Sequence, residues 1–379
     1  MENAGNVEGF MEDFWRNESQ SLSLDEGVIQ LGGNMTEARG FVIVKSIAVT
    51  LYSLIMILGL CGNSLVIYVV LRYSKMQTVT NLYILNLALA DECFLVGLPF
   101  VIITSFSPWP FGTTMCRVYM TMTGINQFTS SIILTVMSAD RYIAVCHPIS
   151  APRLRTPLIS RIVSLTAWTA SALLIVPIFM YSGVLGKEER RSCNVIFPDS
   201  DSMRGETCFI FYSFALSFAI PVILIFIFYS LVIRKLRTVG PKNRSQEKRK
   251  SHRKVTKLVL TVIAVYVFCW LPYWTTQLSL LLTPYRSTMS HEAVTVFLLA
   301  SCLAYSNSAI NPILYAFLSE NFKKSFSRAC RCHLRRGGFQ EQTQVSRRQA
   351  GPTTINGPVT SNRDATDDAK TLVVAETQQ

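Results

Sequence analysis

The sequence predicts an all-α membrane protein, a seven-transmembrane helix bundle followed by a short amphipathic helix on the cytoplasmic side. Three observations predict it. Half of the side chains are hydrophobic and only 16% are charged, whereas soluble domains carry about a quarter charged residues. Seven apolar stretches are long enough to cross about 30 Å of hydrocarbon, which takes roughly 20 residues of helix because lipid offers the backbone no hydrogen-bond partners. The basic residues gather in alternate connections between those stretches rather than along one face.

The stretches fall at 42–71, 78–104, 115–146, 159–182, 208–236, 254–282 and 291–317, so the membrane domain runs over 42–317. Lys and Arg concentrate on the cytoplasmic flank of membrane helices. From Arg234 to Lys257 there are eleven basic residues and one acidic. Arg72, Lys75, Arg153, Arg155, Arg161, Lys323, Lys324, Arg328, Arg331, Arg335 and Arg336 mark the same side. The first forty residues hold eight acidic and two basic side chains. This charge pattern predicts an outside tail over 1–41, glycosylated at the sequons of Asn17 and Asn34. No basic stretch leads into an apolar one before residue 41, so the first span is expected to direct insertion itself.

After the last span, Phe322, Phe326 and Ala329 recur at helical spacing, with Lys323, Lys324 and Arg328 on the other face. An interfacial helix over 318–332 is expected, with Cys330 and Cys332 as palmitoylation candidates in a basic juxtamembrane run. From 333 to 379 the composition turns to that of a disordered cytoplasmic tail.

The net charge of +12 does not indicate nucleic acid, because the positive residues sit between lipid-crossing segments. No metal-ligand histidine spacing, phosphate-binding loop or nucleophile elbow is present, and no enzyme is predicted. Five of ten cysteines, Cys61, Cys93, Cys146, Cys269 and Cys302, fall in or beside apolar stretches, as packing residues do. Cys116, at the outer end of the third span, and Cys193, in the long outer loop, read as a disulfide on the oxidising side. Cys208 is a rival partner.

A charge in lipid costs at least about 2.5–3.5 kcal/mol, so an intramembrane carboxylate marks a functional site. Asp91 is that residue. Asn126 and Ser130 share a helical face, and Asn307 and Asn311 repeat the spacing. Oxygen-rich side chains around one carboxylate suit a small hard cation such as sodium; the alternative is a hydrated polar network that ties the helices together. At the inner end of the third span lies Asp140-Arg141-Tyr142, where an arginine can exchange its neighbouring carboxylate for a cytoplasmic partner. Pro99, Pro177, Pro221, Pro272 and Pro312 fall within spans, where each removes a backbone donor and can kink the helix.

Together these residues resemble the rhodopsin-like receptor family over about 45–330. The motifs in order are Gly62-Asn63-xx-Val66, Leu87-Ala88-x-Ala90-Asp91, Trp109-x-Phe111-Gly112, Cys116, Asp140-Arg141-Tyr142, Trp168, Pro221, Cys269-Trp270-Leu271-Pro272 and Asn311-Pro312-Ile313-Leu314-Tyr315. The stretches Gly124–Ser130, His147-Pro148 and Asn311–Phe322 look like the somatostatin and opioid receptor branch, and among its members the chain most resembles invertebrate receptors for C-type allatostatins. The resemblance implies a peptide receptor, its ligand cyclic, that couples to inhibitory G proteins of the i/o type and meets arrestin through its tail. It implies a sodium site at Asp91, Asn126, Ser130, Asn307 and Asn311, and no other cofactor. Trp270 becomes the switch beneath the ligand, and Asp140, Arg141, Tyr142, Tyr229 and Tyr315 the groups that rearrange on activation.

The chain also departs from its branch. Thr123 stands where the vertebrate receptors carry an aspartate, and Ser131 replaces a bulky apolar residue. His252 and Thr256 occupy the inner end of the sixth span in place of an acidic residue, leaving Thr256 to offer Arg141 a hydrogen bond. The expected ligand-binding surface combines Thr123 and Gln127 with Phe209, Phe214, Trp270, Tyr273, Trp274, Gln277, Phe297 and Tyr305. Such a lining suits uncharged side chains of a peptide, unless Asp199, Asp201 or Glu206 of the outer loop receives a cation. The lack of a lysine from His291 to Phe317 argues against an opsin; the alternatives are an opioid-like or other peptide receptor of the same class and a transporter, against which the lack of repeats or interrupted helices argues.

Overall fold

The computed structural model describes residues 35–186, 191–196, 205–238, 246–282, 291–319 and 321–329. Residues 1–34 of the predicted outer tail, with Asn17 and Asn34, lie outside them, as do Cys330, Cys332 and the predicted tail over 333–379. The first span is Met35–Arg72, and the second is Val79–Leu95 continued by Leu98–Thr104. The third is Gly112–Cys146 and the fourth Pro157–Tyr181, with a single turn, Ala151–Leu154, between them. The fifth runs Gly205–Phe214, through a π-turn at Ala215–Ala219, into Ile220–Thr238. The sixth is Gln246–Leu282 and the seventh His291–Leu318.

Two helix ends differ from expectation. The first helix starts at Met35 and the sixth at Gln246, seven and eight residues before the predicted spans. Apolarity marks where lipid begins, whereas a helix continues through polar residues of good propensity, as in Gln246-Glu247-Lys248-Arg249-Lys250.

Six spans are apolar enough to cross a membrane by composition alone; the third is not among them. At 35 residues it is about 52 Å long, ample to cross. It packs against the second, fourth and fifth spans, so much of its surface meets protein rather than lipid. Asn126, Thr129, Ser130, Ser131, Ser138, Asp140 and Arg141 are all buried on it. The exterior shows the opposite chemistry: Leu173, Phe226 and Phe317 are 68%, 72% and 83% exposed, while Asn63 and Asp91 are fully buried. An apolar exterior around a polar centre is what a hydrocarbon solvent selects.

Two of the prolines do more than bend a helix. Pro221 has no N–H for the carbonyl four residues before it, that of Ser217. That oxygen accepts instead from the Tyr266 hydroxyl of the sixth span at 2.7 Å. Likewise Pro312 releases the Ser308 carbonyl, and Asn63 Nδ2 of the first span donates to it at 3.0 Å. Close approach permits the second bond, since a Cβ on Gly62 would sit 2.9 Å from the Pro312 ring. A proline thus opens a backbone acceptor in a place where only another span can fill it. Tyr266→Phe would leave the Ser217 carbonyl buried without a donor, which costs about 1–3 kcal/mol. Its melting temperature should fall by several degrees, measured by thiol-reactive dye unfolding in detergent; an unchanged value would show that the bond contributes nothing.

At the outer end, strands β1 (Ser182–Leu185) and β2 (Ser192–Val195) pair antiparallel, with Val184 opposite Cys193. Cys193 is disulfide-bonded to Cys116 with Cα atoms 5.4 Å apart, and Cys208 is free, which resolves the rival pairing. Arg117 Nε donates to the Ser182 carbonyl at 3.1 Å and Trp109 N to the Arg191 carbonyl at 2.7 Å. The hairpin is therefore fixed at the outer end of the third span. At the inner end, residues 321–329 form a helix whose Phe322 and Ala329 are buried while Lys323, Lys324 and Arg328 are exposed. Phe322 packs on Tyr315 of the seventh span, ring centroids 5.6 Å apart.

Candidate functional site: an axis of polar and aromatic groups through the bundle

Three groups of predicted residues lie along the bundle. In the outer half, Tyr273 sits edge-on to Trp274 at 5.6 Å and to Trp270 at 5.7 Å, and lies 6.3 Å from Phe297. Phe214 meets Trp274 at 5.5 Å. Tyr305 stacks on Phe94 at 4.1 Å, and Phe94 lies 6.1 Å from Trp270. Aromatic rings from the second, fifth, sixth and seventh spans thus form one connected surface. Tyr119 of the third span has Phe100 and Trp109 as ring neighbours, each with its centroid 5.7 Å away. Phe94 and Tyr119 escape sequence reasoning; each lies on the buried face of its helix, a signal too common to single either out.

Thr123 Oγ1 donates to the Tyr119 carbonyl at 3.0 Å, so its proton is used within its own helix and its oxygen is left as an acceptor. Gln127 Nε2 is buried without a partner. Phe209 lies 6.3 Å from Tyr212 and packs against the cluster of Phe128, Ile175 and Ile178, towards the third and fourth spans. Tyr212 Oη donates to the Leu174 carbonyl at 3.0 Å, which holds that face of the fifth span against the fourth. Asp199 and Asp201 lie outside the described residues, as does the side chain of Glu206.

Below Trp270 is the buried carboxylate. Asp91 Oδ1 accepts from Ser308 Oγ at 2.7 Å and from Asn126 Nδ2 at 3.3 Å. Asp91 Oδ2 accepts from Asn311 Nδ2 at 2.9 Å, and Asn126 Nδ2 reaches Ser130 Oγ at 3.3 Å. Four of the five predicted residues are joined in this network. Asn307 is not; its buried Oδ1 has no hydrogen bond, and the donor from its turn is Ser308. Three residues before Asn311, Ser308 shares that residue's face of the helix, a spacing that gives no signal because an isolated serine is unremarkable in a span. Asn311 Oδ1 and Asn63 Oδ1 are also buried without partners.

At the inner end, Arg141 Nη2 donates to Asp140 Oδ2 at 2.5 Å and to Thr80 Oγ1. Arg155, just past the inner turn, clasps the same carboxylate with two bonds, Nε to Oδ1 at 2.7 Å and Nη2 to Oδ2 at 3.1 Å. The sequence shows Arg155 only as a topology-setting charge. Tyr142 hydrogen-bonds with His147 at 3.1 Å and lies 5.8 Å from Phe228. Tyr229 and Tyr315 are buried with hydroxyls that have no partner. Ile149, on the loop before the turn, is 92% exposed. The side chain of Thr256 lies outside the described residues.

Taken as chemistry, this arrangement binds and relays; among the described residues no nucleophile and base are paired for catalysis. Residues 62–315 match the sequence model described as 7 transmembrane receptor (rhodopsin family). The Mus musculus somatostatin receptor type 2 is 42% identical over 320 residues, 84% of this chain and 86% of that protein. Somatostatin receptor type 1 of Canis lupus familiaris is 41% identical over 327 residues, 86% and 78% of the two chains. Type 3 of Homo sapiens is 42% identical over 296 residues, 77% and 70%. With Asn63, Asp91 and Trp270 joining the first, second, third, sixth and seventh spans at the matching motifs, the chain belongs to the rhodopsin family of seven-transmembrane, G-protein-coupled receptors, multi-pass proteins of the plasma membrane.

Proposed function

We propose that this receptor is activated by an extracellular cyclic neuropeptide of the allatostatin C and somatostatin type and signals through G proteins of the i/o type. The observation that carries the reading is the aromatic chain Tyr273–Trp270–Tyr266, with centroids 5.7 and 6.3 Å apart, ending in the Tyr266–Ser217 bond between the sixth and fifth spans. A ligand that presses on Tyr273 displaces Trp270 and so acts on the packing of those two spans. The relatives are named as receptors for somatostatin, a peptide, and the acidic amino-terminal segment fits an outside location. Purified receptor reconstituted with an i/o-type G protein should show nucleotide exchange stimulated by such a peptide. Stimulation only with a different G-protein class, or only by a non-peptide ligand, would overturn the reading.

The deep part of the pocket carries no carboxylate among its described residues. Thr123 presents an acceptor oxygen and Gln127 a free amide donor, so neutral hydrogen-bonding and apolar side chains fit there. A ligand ammonium group would be desolvated without a countercharge, which is strongly unfavourable. Thr123→Asp should therefore raise potency for a lysine-anchored, somatostatin-like peptide by about tenfold or more, the scale of a charge-assisted hydrogen bond of about 1.5–3 kcal/mol, and lower it for a peptide with an uncharged tip. Dose–response curves for both peptides decide. Unchanged potency for both, or strong activation of the wild type by a peptide that needs its lysine, would count against this view.

The residues around Asp91 fit a sodium ion in donor type. They supply a carboxylate, the Ser130 hydroxyl oxygen, and the Asn307 and Asn311 amide oxygens, both buried with no hydrogen bond. Hard oxygen donors with one negative charge match a small monovalent cation, which would supply the countercharge that Asp91 otherwise lacks. At the inner end, we infer that Arg141 leaves Asp140 and Thr80 to meet the G protein, and that Ile149 adds an apolar contact there. Arrestin is the partner proposed for the tail.

A further inference from the structure

Asn86 ties the inner halves of the second and fourth spans together. Its Nδ2 donates to the Leu82 carbonyl at 2.7 Å and to Ser164 Oγ at 3.1 Å, and its Oδ1 accepts from Trp168 Nε1 at 3.0 Å. On the inner side of this knot lies a cavity of about 180 Å³ with Asn86 and Ser164 among its lining. Val70, Leu71 and Leu85 give it apolar walls, and Gln77 and Arg161 line it at the inner ends of the helices. Arg161 follows the first residue of the fourth span, Pro157, by four positions, about 6 Å along the axis. Gln77 precedes the second span's first residue, Val79. Both therefore sit towards the inner helix ends, at the depth of inner-leaflet headgroups, while Leu85 lies about 9 Å in from Val79.

Arg161 is exposed, and among the described residues no carboxylate lies within ion-pair distance of it. Arg72 and Lys75 carry further positive charge at the same end of the first and second spans. An unpaired guanidinium at headgroup depth beside an apolar slot matches an amphiphile with a negative head and an extended chain. We propose that this slot takes one acyl chain of an anionic phospholipid from the inner leaflet, with the phosphate on Arg161 and Gln77 donating an amide hydrogen to it. Guanidinium is suited to the role because its planar fork meets two phosphate oxygens at once. At about 180 Å³, with Leu71, Gln77 and Arg161 of its lining exposed, the slot is open on one side and seats part of one chain.

The test uses the full chain in phosphatidylcholine nanodiscs that contain a minor fraction of phosphatidic acid with a diazirine in one acyl chain. After irradiation and digestion, the label should appear on the peptides that carry Leu71 and Leu85. Arg161→Gln should lower it about fivefold, the factor that about 1 kcal/mol per basic residue at an anionic surface gives. Leu85→Trp, which fills the slot but keeps the arginine, should lower it as well, with melting temperatures unchanged in both variants. Soluble glycerol 3-phosphate should not compete. Equal labelling by a phosphatidylcholine probe, stronger labelling by a sterol diazirine, or undiminished labelling in well-folded Arg161→Gln would each overturn the assignment. Competition by glycerol 3-phosphate would replace the lipid with a free phosphate. If Arg161→Gln fails to fold, Leu85→Trp and the comparison of probes on the wild type still decide.

Discussion

Exchanging sodium for a large organic cation is expected to raise agonist affinity of the wild-type receptor about tenfold, within the 1–3 kcal/mol typical of coupled sites, and to leave Asp91→Asn unchanged. Asp91 is fully buried, and its three hydrogen bonds come from neutral donors, Ser308, Asn126 and Asn311. Neutral donors solvate the carboxylate but do not balance its charge. The unpartnered oxygens of Asn307 and Asn311 would be satisfied together with that charge by one cation. A cation seated among four residues of the second, third and seventh spans favours the packing in which those residues converge. By linkage, a ligand that prefers another packing must then bind more weakly.

The Asn variant separates charge from shape. Its side chain keeps one acceptor for Ser308 and Asn126, but its amide would face Asn311 Nδ2, donor against donor, unless Asn311 turns over. A modest change in melting temperature is expected from that exchange, and loss of the cation effect from the missing charge. Equal agonist affinity in both salts for the wild type, with Asp91→Asn indistinguishable from it, would show that the cluster is a structural network only.

The spans, the disulfide and the carboxylate are legible in the sequence because lipid is an unforgiving solvent. It demands long apolar runs and makes each polar intruder conspicuous, so Asp91 and Arg141 stand out by residue type and position alone. What stays hidden depends on geometry that apolarity does not encode. Asn63 acts through the Ser308 carbonyl that Pro312 sets free, which the sequence shows only as a bend, and Ser308 itself reaches Asp91 through an unremarkable hydroxyl. Tyr266 resembles any other buried ring until Pro221 opens the Ser217 carbonyl opposite it. Arg155 lies beyond a four-residue turn with no periodicity to place it. The helix ends at Met35 and Gln246 depart from expectation for the complementary reason, since lipid thickness sets hydropathy and helix propensity sets length.

Arg141→Ala should abolish stimulated nucleotide exchange, a loss of at least a hundredfold, while ligand binding and expression stay near wild type. In this structure its guanidinium is 4% exposed, held by Asp140 and Thr80, so it is unavailable to a cytoplasmic partner. Arg155 shares that carboxylate and holds it in place with two bonds. These bonds stabilise the buried Asp140 charge and fix the inner turn against the third span, and so favour the closed arrangement. Removing one partner of a buried ion pair costs about 3–5 kcal/mol, but Arg155 is 24% exposed, and solvent screening reduces its share to about 1–1.5 kcal/mol. Arg155→Ala should accordingly raise ligand-independent exchange by about tenfold, and Asp140→Asn, which releases both arginines, by more. The double variant Arg155→Ala/Arg141→Ala should be as silent as Arg141→Ala alone, because releasing a latch has no effect once the group it restrains is gone. Normal exchange by a well-expressed Arg141→Ala would refute its place at the G-protein interface. Reduced rather than raised basal exchange in Arg155→Ala would instead mean that Arg155 contacts the G protein directly, and titration of the G protein at saturating peptide would show it as weaker coupling.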